Sequence, residues 1–155
     1  MLKKEINIFI SAAAEDVFGY VANVRRHPDW AANPLEIHHM AGPESGLGAT
    51  FATTAHRTVG FAGTFQGRIR VLIEEPPRRF VYETEDTSGR YQWTFFIIPE
   101  GNRTRLTHRM EKLSGPWILR WLQPAVLWPL IGKKQVKRGL ENIKVHLEQD
   151  KKQDV

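Results

Sequence analysis

Hydrophobic and polar residues change their spacing twice within the first thirty residues of the chain. Residues 4–10 alternate between apolar and polar, which is the pattern of a strand with one buried face. Across residues 12–24 the apolar residues recur every three or four positions, which predicts a helix with Ser11 as its N-cap. Residues 25–30 contain Pro28 and are typical of a short helical turn. The chain therefore begins with a strand followed by two short helices.

Alternation returns between residues 35 and 112, in apolar stretches separated by Gly, Pro, Asn and Ser. The predicted strands are 35–41, 49–59, 62–74, 79–87, 90–98 and 103–112. Their connections are too short for the crossovers that parallel strands need, so consecutive strands must pair antiparallel. With the first strand they form a seven-stranded antiparallel sheet, and the fold class is α+β.

One side of these strands carries most of the large apolar side chains, and this side is predicted to face inward. The inward set also contains polar groups, notably the hydroxyls of Tyr82 and Tyr91, the indole of Trp93 and the imidazole of His108. In a solid core such groups are hydrogen-bonded to neighbours. In a cavity they face a ligand, and an apolar pocket with a few polar groups is the usual form of a small-molecule site.

After Gly115 and Pro116 a helical pattern continues to the end of the chain. One stripe at helical spacing is predicted to pack on the sheet, and it consists of Trp117, Trp121, Ala125, Trp128, Gly132, Val136, Leu140, Ile143 and Leu147. Pro124 and Pro129 are expected to kink or interrupt this helix.

Residues 117–131 are apolar on nearly every side, so more than the sheet must cover them. The stretch is shorter than the roughly 20 residues of a membrane-spanning helix. Three covers remain open, namely a cavity with its ligand, a second subunit and a membrane interface, unless the segment is simply buried under the first helix and the loops of the same chain.

The composition narrows the class of protein. The length of 155 residues predicts one domain, residues 1–150, with a frayed tail at 151–155. The chain has no Cys, which excludes disulfides, thiolate metal sites and a Cys nucleophile, and which fits a reducing compartment such as the cytoplasm. The mean hydropathy of −0.40 fits the lack of a spanning helix, and the alternating start of the chain does not resemble a signal peptide.

The net charge of +5 is not matched by a nucleic-acid-binding motif, so no nucleic acid partner is predicted. The one dense basic cluster consists of Lys133, Lys134, Lys137 and Arg138. Such a cluster is typical of a solvated helix face, and after several tryptophans it also fits contact with an anionic membrane.

Catalytic motifs are missing from the sequence. The six histidines show no metal-ligand spacing, and no GxSxG or GxGxxG motif occurs in its structural context, so neither a metal nor a cofactor is predicted. An enzyme would have to use His108, Tyr82, His56 or Arg57 at a pocket, by acid–base or oxyanion chemistry. The residues leave the question of catalysis open.

Several segments resemble a known superfamily. They are SAAAEDVF at 11–18, VAN at 21–23, HPDW at 27–30 and EPPRRFVY at 75–82. With the basic C-terminal helix, they resemble the START-like helix-grip proteins of the SRPBCC superfamily, in its polyketide cyclase/dehydrase-like branch. The resemblance covers nearly the whole chain. It implies a sheet wrapped around a long C-terminal helix, with a cavity for lipids, polyketides or other apolar molecules. It leaves the activity open, because relatives include carriers, cyclases and hydrolases.

The leading hypothesis is therefore the binding or carriage of a hydrophobic small molecule between the sheet and the C-terminal helix. The predicted ligand-binding residues are Trp30, Phe65, Ile69, Tyr82, Tyr91, Trp93, Phe95, His108, Met110, Trp121 and Ala125. The alternatives are a cyclase or dehydratase that uses His108 and Tyr82, and docking on a membrane surface or a partner through residues 117–138. Weak contact with an anionic membrane and a homodimer are both compatible with that last segment.

Overall fold

A computed structural model describes residues 2–58 and 62–153, with the exception of the Leu119 side chain. The strands are β1 Lys3–Ile10, β2 Leu35–Ala41, β3 Thr50–Arg57, β4 Gly63–Glu75, β5 Arg79–Asp86, β6 Gly89–Glu100 and β7 Arg103–Ser114. The helices are α1 Ala14–Ala22, α2 His27–Trp30, α3 Trp117–Leu122 and α4 Lys133–Gln153. A 3-10 turn at Val24–Arg26 precedes α2, and a π-helical segment at Gln123–Gly132 joins α3 to α4. The predicted α+β fold is confirmed.

The strands form one seven-stranded sheet in the order β1-β7-β6-β5-β4-β3-β2, and all neighbours are antiparallel. Strands β2 to β7 follow one another in chain order because their short turns allow only neighbouring antiparallel pairs. The last strand, β7, also pairs with the first strand, β1, at the edge of the sheet. Residue 59, where the third strand was predicted to end, lies outside the described residues.

Helix α1 begins two residues later than predicted, and its N-cap is Ala13 rather than Ser11. The Ser11 N–H donates instead to Glu148 Oε1 at 2.9 Å, and the Ala12 carbonyl accepts from Thr104 Oγ1 at 2.7 Å. These contacts join residues far apart in sequence and keep residues 11–13 out of the helix. A local capping preference is therefore overridden by tertiary hydrogen bonds.

The inner face of the sheet is packed solid at one end. Helix α1 contacts β5, β6 and β7 there, and α4 packs on β1 and α2. The largest fully buried side chains of this packed end include Val17, Val21, Phe80, Phe95, Ile97, Leu106, Leu140 and Ile143. The predicted inward rows of β5, β6 and β7 are confirmed by this burial.

One inward prediction is wrong because β4 contains a bulge. Alternation places Ile73 on the same face as Val71, but the register shifts between them. Ile73 then pairs with Val81, which points away from the face of Phe80 and Tyr82. An extra residue in one strand moves the following side chain to the other side of the sheet.

The C-terminal helix is interrupted where the prolines predict. Both Pro124 and Pro129 lie in the π-helical segment, where the Lys133 N–H donates to the carbonyl of Trp128, five residues earlier. The predicted stripe is correct in α4, where Leu140, Ile143 and Leu147 are buried.

The prediction that the stripe packs on the sheet is wrong for its first residues. The Trp117 and Trp121 side chains are 78% and 73% exposed, and Ala125 is also exposed. The wider winding of the π-helical segment rotates residues before it off the face that a period of 3.6 extrapolates. At the other end, α4 continues to Gln153, so the first three residues of the predicted tail are helical.

Candidate ligand-binding cavity

A cavity of about 380 Å³ lies over the other end of the inner face. Its floor is formed by β3 to β7, one wall by α2 and the loop after it, and its cover by the π-helical segment and the start of α4. Helix α1 contributes no residue to this lining, and two of the three tryptophans before α4, Trp117 and Trp121, are exposed on the outside. The apolar inner face is consequently left unfilled here, and we call this region the open end.

Most of the predicted site residues line this cavity. They are Trp30, Phe65, Ile69, Tyr82, Tyr91, Trp93, His108 and Met110. Strand alternation brings them together because β4 to β7 are in register: Tyr82 pairs with Trp93, and Trp93 pairs with Met110. Whether they bind a ligand stays a prediction.

Three predicted residues lie elsewhere. Phe95 is 0% exposed and stacks on the His108 ring at 4.0 Å, so it belongs to the packed end. Trp121 and Ala125 lie on the exposed side of α3 and the π-helical segment, as described above. Their place in the cover is taken by Leu127, Trp128 and Ile131.

The sequence analysis named Arg57 as a possible pocket residue, but it missed His27 and Asp86, the partner of Arg57, as cavity residues. His27 was visible within the HPDW segment three residues before Trp30, a spacing that places both on one side of a helical turn. Asp86 continues the inward row of its strand, so alternation alone could have found it. His56, a residue considered for catalysis, hydrogen-bonds Thr64 instead and does not line the cavity.

The deep end of the cavity holds a group of polar atoms among aromatic rings. The Tyr82 hydroxyl lies 3.4 Å from His108 Nε2, a long and therefore weak hydrogen bond. His27 Nε2 donates to the Val21 carbonyl at 3.0 Å, since a carbonyl oxygen can only accept. Trp93 Nε1 donates to Thr84 Oγ1 at 2.9 Å.

These groups are held in their uncharged forms by burial. Desolvation lowers the pKa of His27 to about 4, and desolvation together with the nearby His27 lowers the pKa of His108 to about 3. Burial raises the pKa of the Tyr82 hydroxyl far above its usual range. At neutral pH the deep end therefore offers hydrogen bonds but no net charge.

The charged side chains that line the described cavity form two ion pairs, Arg57–Asp86 and Arg68–Glu85. Arg57 Nη2 lies 2.6 Å from Asp86 Oδ2, and the Arg57 guanidinium lies over the Phe65 ring at 4.3 Å. Asp86 also accepts from the N–H and hydroxyl of Ser88. The pair is partly exposed, so the cavity runs from a neutral interior to a charged rim.

A hydrogen-bonded tether fastens the cover to the sheet. Lys112 Nζ donates to Gln123 Oε1 at 2.6 Å, and Gln123 Nε2 donates to the Tyr91 hydroxyl at 3.1 Å. Burial lowers the pKa of Lys112. Gln123 is the first residue of the π-helical segment, so this tether holds the cover where it leaves α3.

In the part of the chain that the structure describes, no three His, Asp or Glu side chains come together in a geometry that could hold a metal ion. Across residues 2–58 and 62–153, no helix combines the length and apolarity needed to cross a membrane. The chemistry that the described cavity can supply is hydrogen bonding from neutral side chains inside an aromatic shell.

Three solved structures illustrate how widely this fold is shared. A protein from Chromobacterium violaceum is 12% identical with a TM-score of 0.72, covering 96% of this chain and 99% of that chain. A norcoclaurine synthase point mutant from Thalictrum flavum, in complex with a transition-state analogue, is 16% identical with a TM-score of 0.68, covering 97% of each chain. The Aha1 dimer from Colwellia psychrerythraea is 14% identical with a TM-score of 0.66, covering 96% of this chain and 97% of that chain. At these identities the likeness establishes the fold alone.

The family of this chain is identified by comparing its sequence with those of known proteins and families. No curated protein matches this chain in sequence. Residues 1–148 do match the model of the family described as polyketide cyclase/dehydrase and lipid transport. The predicted resemblance is confirmed, and the fold is one that binds ligands. The chain belongs to the polyketide cyclase/dehydrase and lipid transport family.

Proposed function

We propose that this protein binds a hydrophobic small molecule in the cavity at the open end of the sheet and carries it. The supporting observation is a space of about 380 Å³ whose walls are largely aromatic and aliphatic side chains. Burying about 300 Å² of apolar ligand surface contributes about 7 kcal/mol before the entropic costs of binding. Since about 1.4 kcal/mol corresponds to a factor of ten in affinity, that contribution limits the dissociation constant to about 10 μM or weaker, even in a site that is already formed.

The proposal is tested with 2-ethylnaphthalene, a compact apolar probe, in equilibrium dialysis against the purified protein. Native mass spectrometry of gently purified protein adds a search for an apolar molecule retained from the host cell. We expect saturable binding of one probe molecule. The absence of saturable probe binding would overturn the proposal.

A pair of variants locates the bound probe. Ala55 lines the cavity from β3, whereas its neighbour Thr54 points to the other face and hydrogen-bonds Gln66. Ala55→Phe fills the cavity and is expected to weaken probe binding at least fivefold, while Thr54→Phe leaves it unchanged. Equal effects of the two variants would place the probe elsewhere.

Catalysis of the cyclase or dehydratase type is less well supported by the same residues. Tyr82 and His108 do lie together on one face, as that hypothesis requires. Their pKa values are displaced in the wrong directions for it, because the pKa of the imidazole is lowered to about 3 and that of the hydroxyl is raised. A general acid or base works best when its pKa is near the ambient pH. Binding is therefore the function we favour.

A second candidate function is docking on an anionic membrane surface. The tryptophan-rich surface, made of Trp117, Ile118, Trp121 and Leu130, is exposed on the outside of α3 and the π-helical segment. Exposed apolar patches of this kind mark interaction surfaces. The basic cluster predicted from the sequence follows in the next helix, and Trp beside Lys and Arg is the composition of an interfacial anchor.

Flotation with vesicles of phosphatidylcholine and phosphatidylserine tests this second function. We expect binding at low salt that falls as the salt concentration rises, since anionic lipids attract the basic cluster electrostatically. The double variant Trp117→Ser, Trp121→Ser should abolish flotation. The matched control replaces Met40 and Leu47, which are also large exposed apolar residues but lie at the end of β2 and in the β2–β3 loop. No flotation of the unmodified protein at low salt would overturn the docking function.

The same surface could instead bury a second copy of the chain. Sedimentation without lipid separates the two occupants, because a dimer that the tryptophan variant dissociates would place a partner subunit there. Cytoplasmic residence is part of the carrier proposal, and it rests on the Cys-free composition of the chain.

A further inference from the structure

The indole N–H of Trp30 has no hydrogen-bond partner among the residues that the structure describes, although the atom is buried. Trp30 is 7% exposed and lines the cavity. A buried donor without an acceptor costs free energy, and native proteins rarely leave one unsatisfied. The unsatisfied atom therefore points to a group that joins the cavity from outside the chain.

Trp30 is held firmly by its surroundings. The Cε3–Cζ3 edge of its ring packs on α4 at Gly139, where even a Cβ would lie 3.4 Å from Cε3. Asn142 Nδ2 donates to the Trp30 carbonyl at 3.1 Å and anchors the backbone. On the indole ring, the edge that carries Nε1 is opposite this packed edge, so the contact with Gly139 leaves the donor edge free of α4 at that point.

The polar side chains around Trp30 have hydrogen-bond partners of their own. His27, whose ring centre is 4.8 Å from that of Trp30, donates to the Val21 carbonyl. His108 contacts the Tyr82 hydroxyl, and the indole of Trp93, which also lines the cavity, donates to Thr84. Of these two indoles, then, that of Trp93 is satisfied within the protein and that of Trp30 is not.

We infer that the ligand carries a neutral hydrogen-bond acceptor, a carbonyl or ether oxygen, which accepts from Trp30 Nε1 while the apolar remainder fills the cavity. This inference rests on the proposed binding function and adds a ligand class and a specificity-determining residue to it. A neutral oxygen fits better than a carboxylate, because the histidines beside Trp30 are uncharged at neutral pH and the two arginines that line the cavity, Arg57 and Arg68, are already paired with Asp86 and Glu85.

The experiment compares two probes that differ only at the acceptor, 2-acetylnaphthalene and 2-ethylnaphthalene. Trp30→Phe removes the N–H and keeps an aromatic ring. We expect this variant to bind the ketone about tenfold more weakly and the hydrocarbon less than twofold more weakly, because only the ketone loses a hydrogen bond.

Trp93→Phe is the matched control, since it makes the same change at an indole that already has a partner. Its effects on the two probes should be equal. The inference is overturned if Trp30→Phe weakens both probes by the same factor, or if Trp93→Phe produces the same ketone-specific loss. Failure of the unmodified protein to bind the hydrocarbon would be a different result, because it would overturn the binding function itself.

A measurement on the unmodified protein removes any dependence on how well the variant folds. The chain has five tryptophans, and their indole N–H groups give separate nitrogen–proton resonances. The Trp30 resonance should move downfield with the ketone and not with the hydrocarbon, while that of Trp93 responds equally to both. An unmoved Trp30 resonance in ketone-saturated protein would overturn the inference.

Discussion

The two ends of the sheet have the same alternation of inward-facing apolar side chains, but one end is tightly packed and the other borders a cavity. At the packed end, Phe80, Phe95 and Leu106 are completely buried beneath α1 and the later part of α4. At the open end, Phe65, Ala55 and Thr84 have the same alternation but border a cavity. The sheet is continuous between them, and the difference comes from what covers each end.

The covers differ in where they put their apolar side chains. Helix α1 turns Val17, Phe18 and Val21 onto the sheet, whereas α3 turns Trp117 and Trp121 toward solvent. The residues that do face the cavity from above, Leu127, Trp128 and Ile131, leave the floor beneath them unfilled. The comparison teaches that a cavity can be made by the orientation of one segment, with no change in the strands below.

The largest difference between the ends should appear in large-to-small substitutions. Phe95→Ala removes a ring that is fully buried and is expected to lower the free energy of unfolding by about 3–5 kcal/mol. The matched variant Phe65→Ala acts on a half-buried ring beside existing empty space and should cost about 1 kcal/mol or less. Urea unfolding followed by far-UV circular dichroism measures both. Equal losses would show that the two ends are packed alike.

Acidification should test the boundary between the two ends, where His27 and His108 are buried. Their pKa values are about 4 and about 3 in the folded protein, against an ordinary value of about 6.5 when unfolded. Below pH 6.5 these imidazoles are protonated in the unfolded chain but stay neutral in the folded protein. Their contribution to the free energy of unfolding is therefore fully present above pH 6.5 and is lost as the pH falls below it. Between pH 7 and pH 5 the loss should be about 2 kcal/mol for each histidine.

Replacing one of these histidines should remove its share of the pH dependence. His27→Gln is expected to halve the loss between pH 7 and pH 5 in urea unfolding, whereas His38→Gln, on the exposed face of β2, should leave it unchanged. A stability that does not change across this range would mean that the two imidazoles are accessible to protons in the folded state.

The smallest effect should come from adding bulk. Val21→Phe introduces a ring into the packed end and should cost about 1–3 kcal/mol through strain. Ala55→Phe places the same ring into the cavity and should change the free energy of unfolding by less than about 1 kcal/mol. Thermal unfolding of the two variants makes the comparison, and a large penalty at Ala55 would mean that the open end has no room.

Much of the cavity floor could be predicted because strand alternation is a local signal. Tyr82, Trp93 and Met110 were placed on one face by period alone, and the short turns put their strands side by side. Depth along that face could not be predicted in the same way. Phe95 is the next inward-facing residue after Trp93 on β6, yet it stacks on the His108 ring in the packed end.

The cover could not be predicted because its geometry departs from the period used to read it. A period of 3.6 carries the apolar stripe from Leu140 back to Trp117, but ten residues of π-helix intervene. The sequence also could not predict that the indole N–H of Trp30 is left without an acceptor. Whether a buried indole finds an acceptor depends on groups that are distant in sequence.

The sequence by itself determined the order of elements, the antiparallel sheet, its inward face and the family to which the chain belongs. These features depend on periodicity, turn residues and short motifs, which act over a few neighbouring positions. Only the tertiary structure decided that α1 fills one end of the face, that the cover leaves the other end hollow, and that Trp30 is left without a partner. Those outcomes depend on how distant segments meet, because the volume between two packed surfaces belongs to neither segment alone.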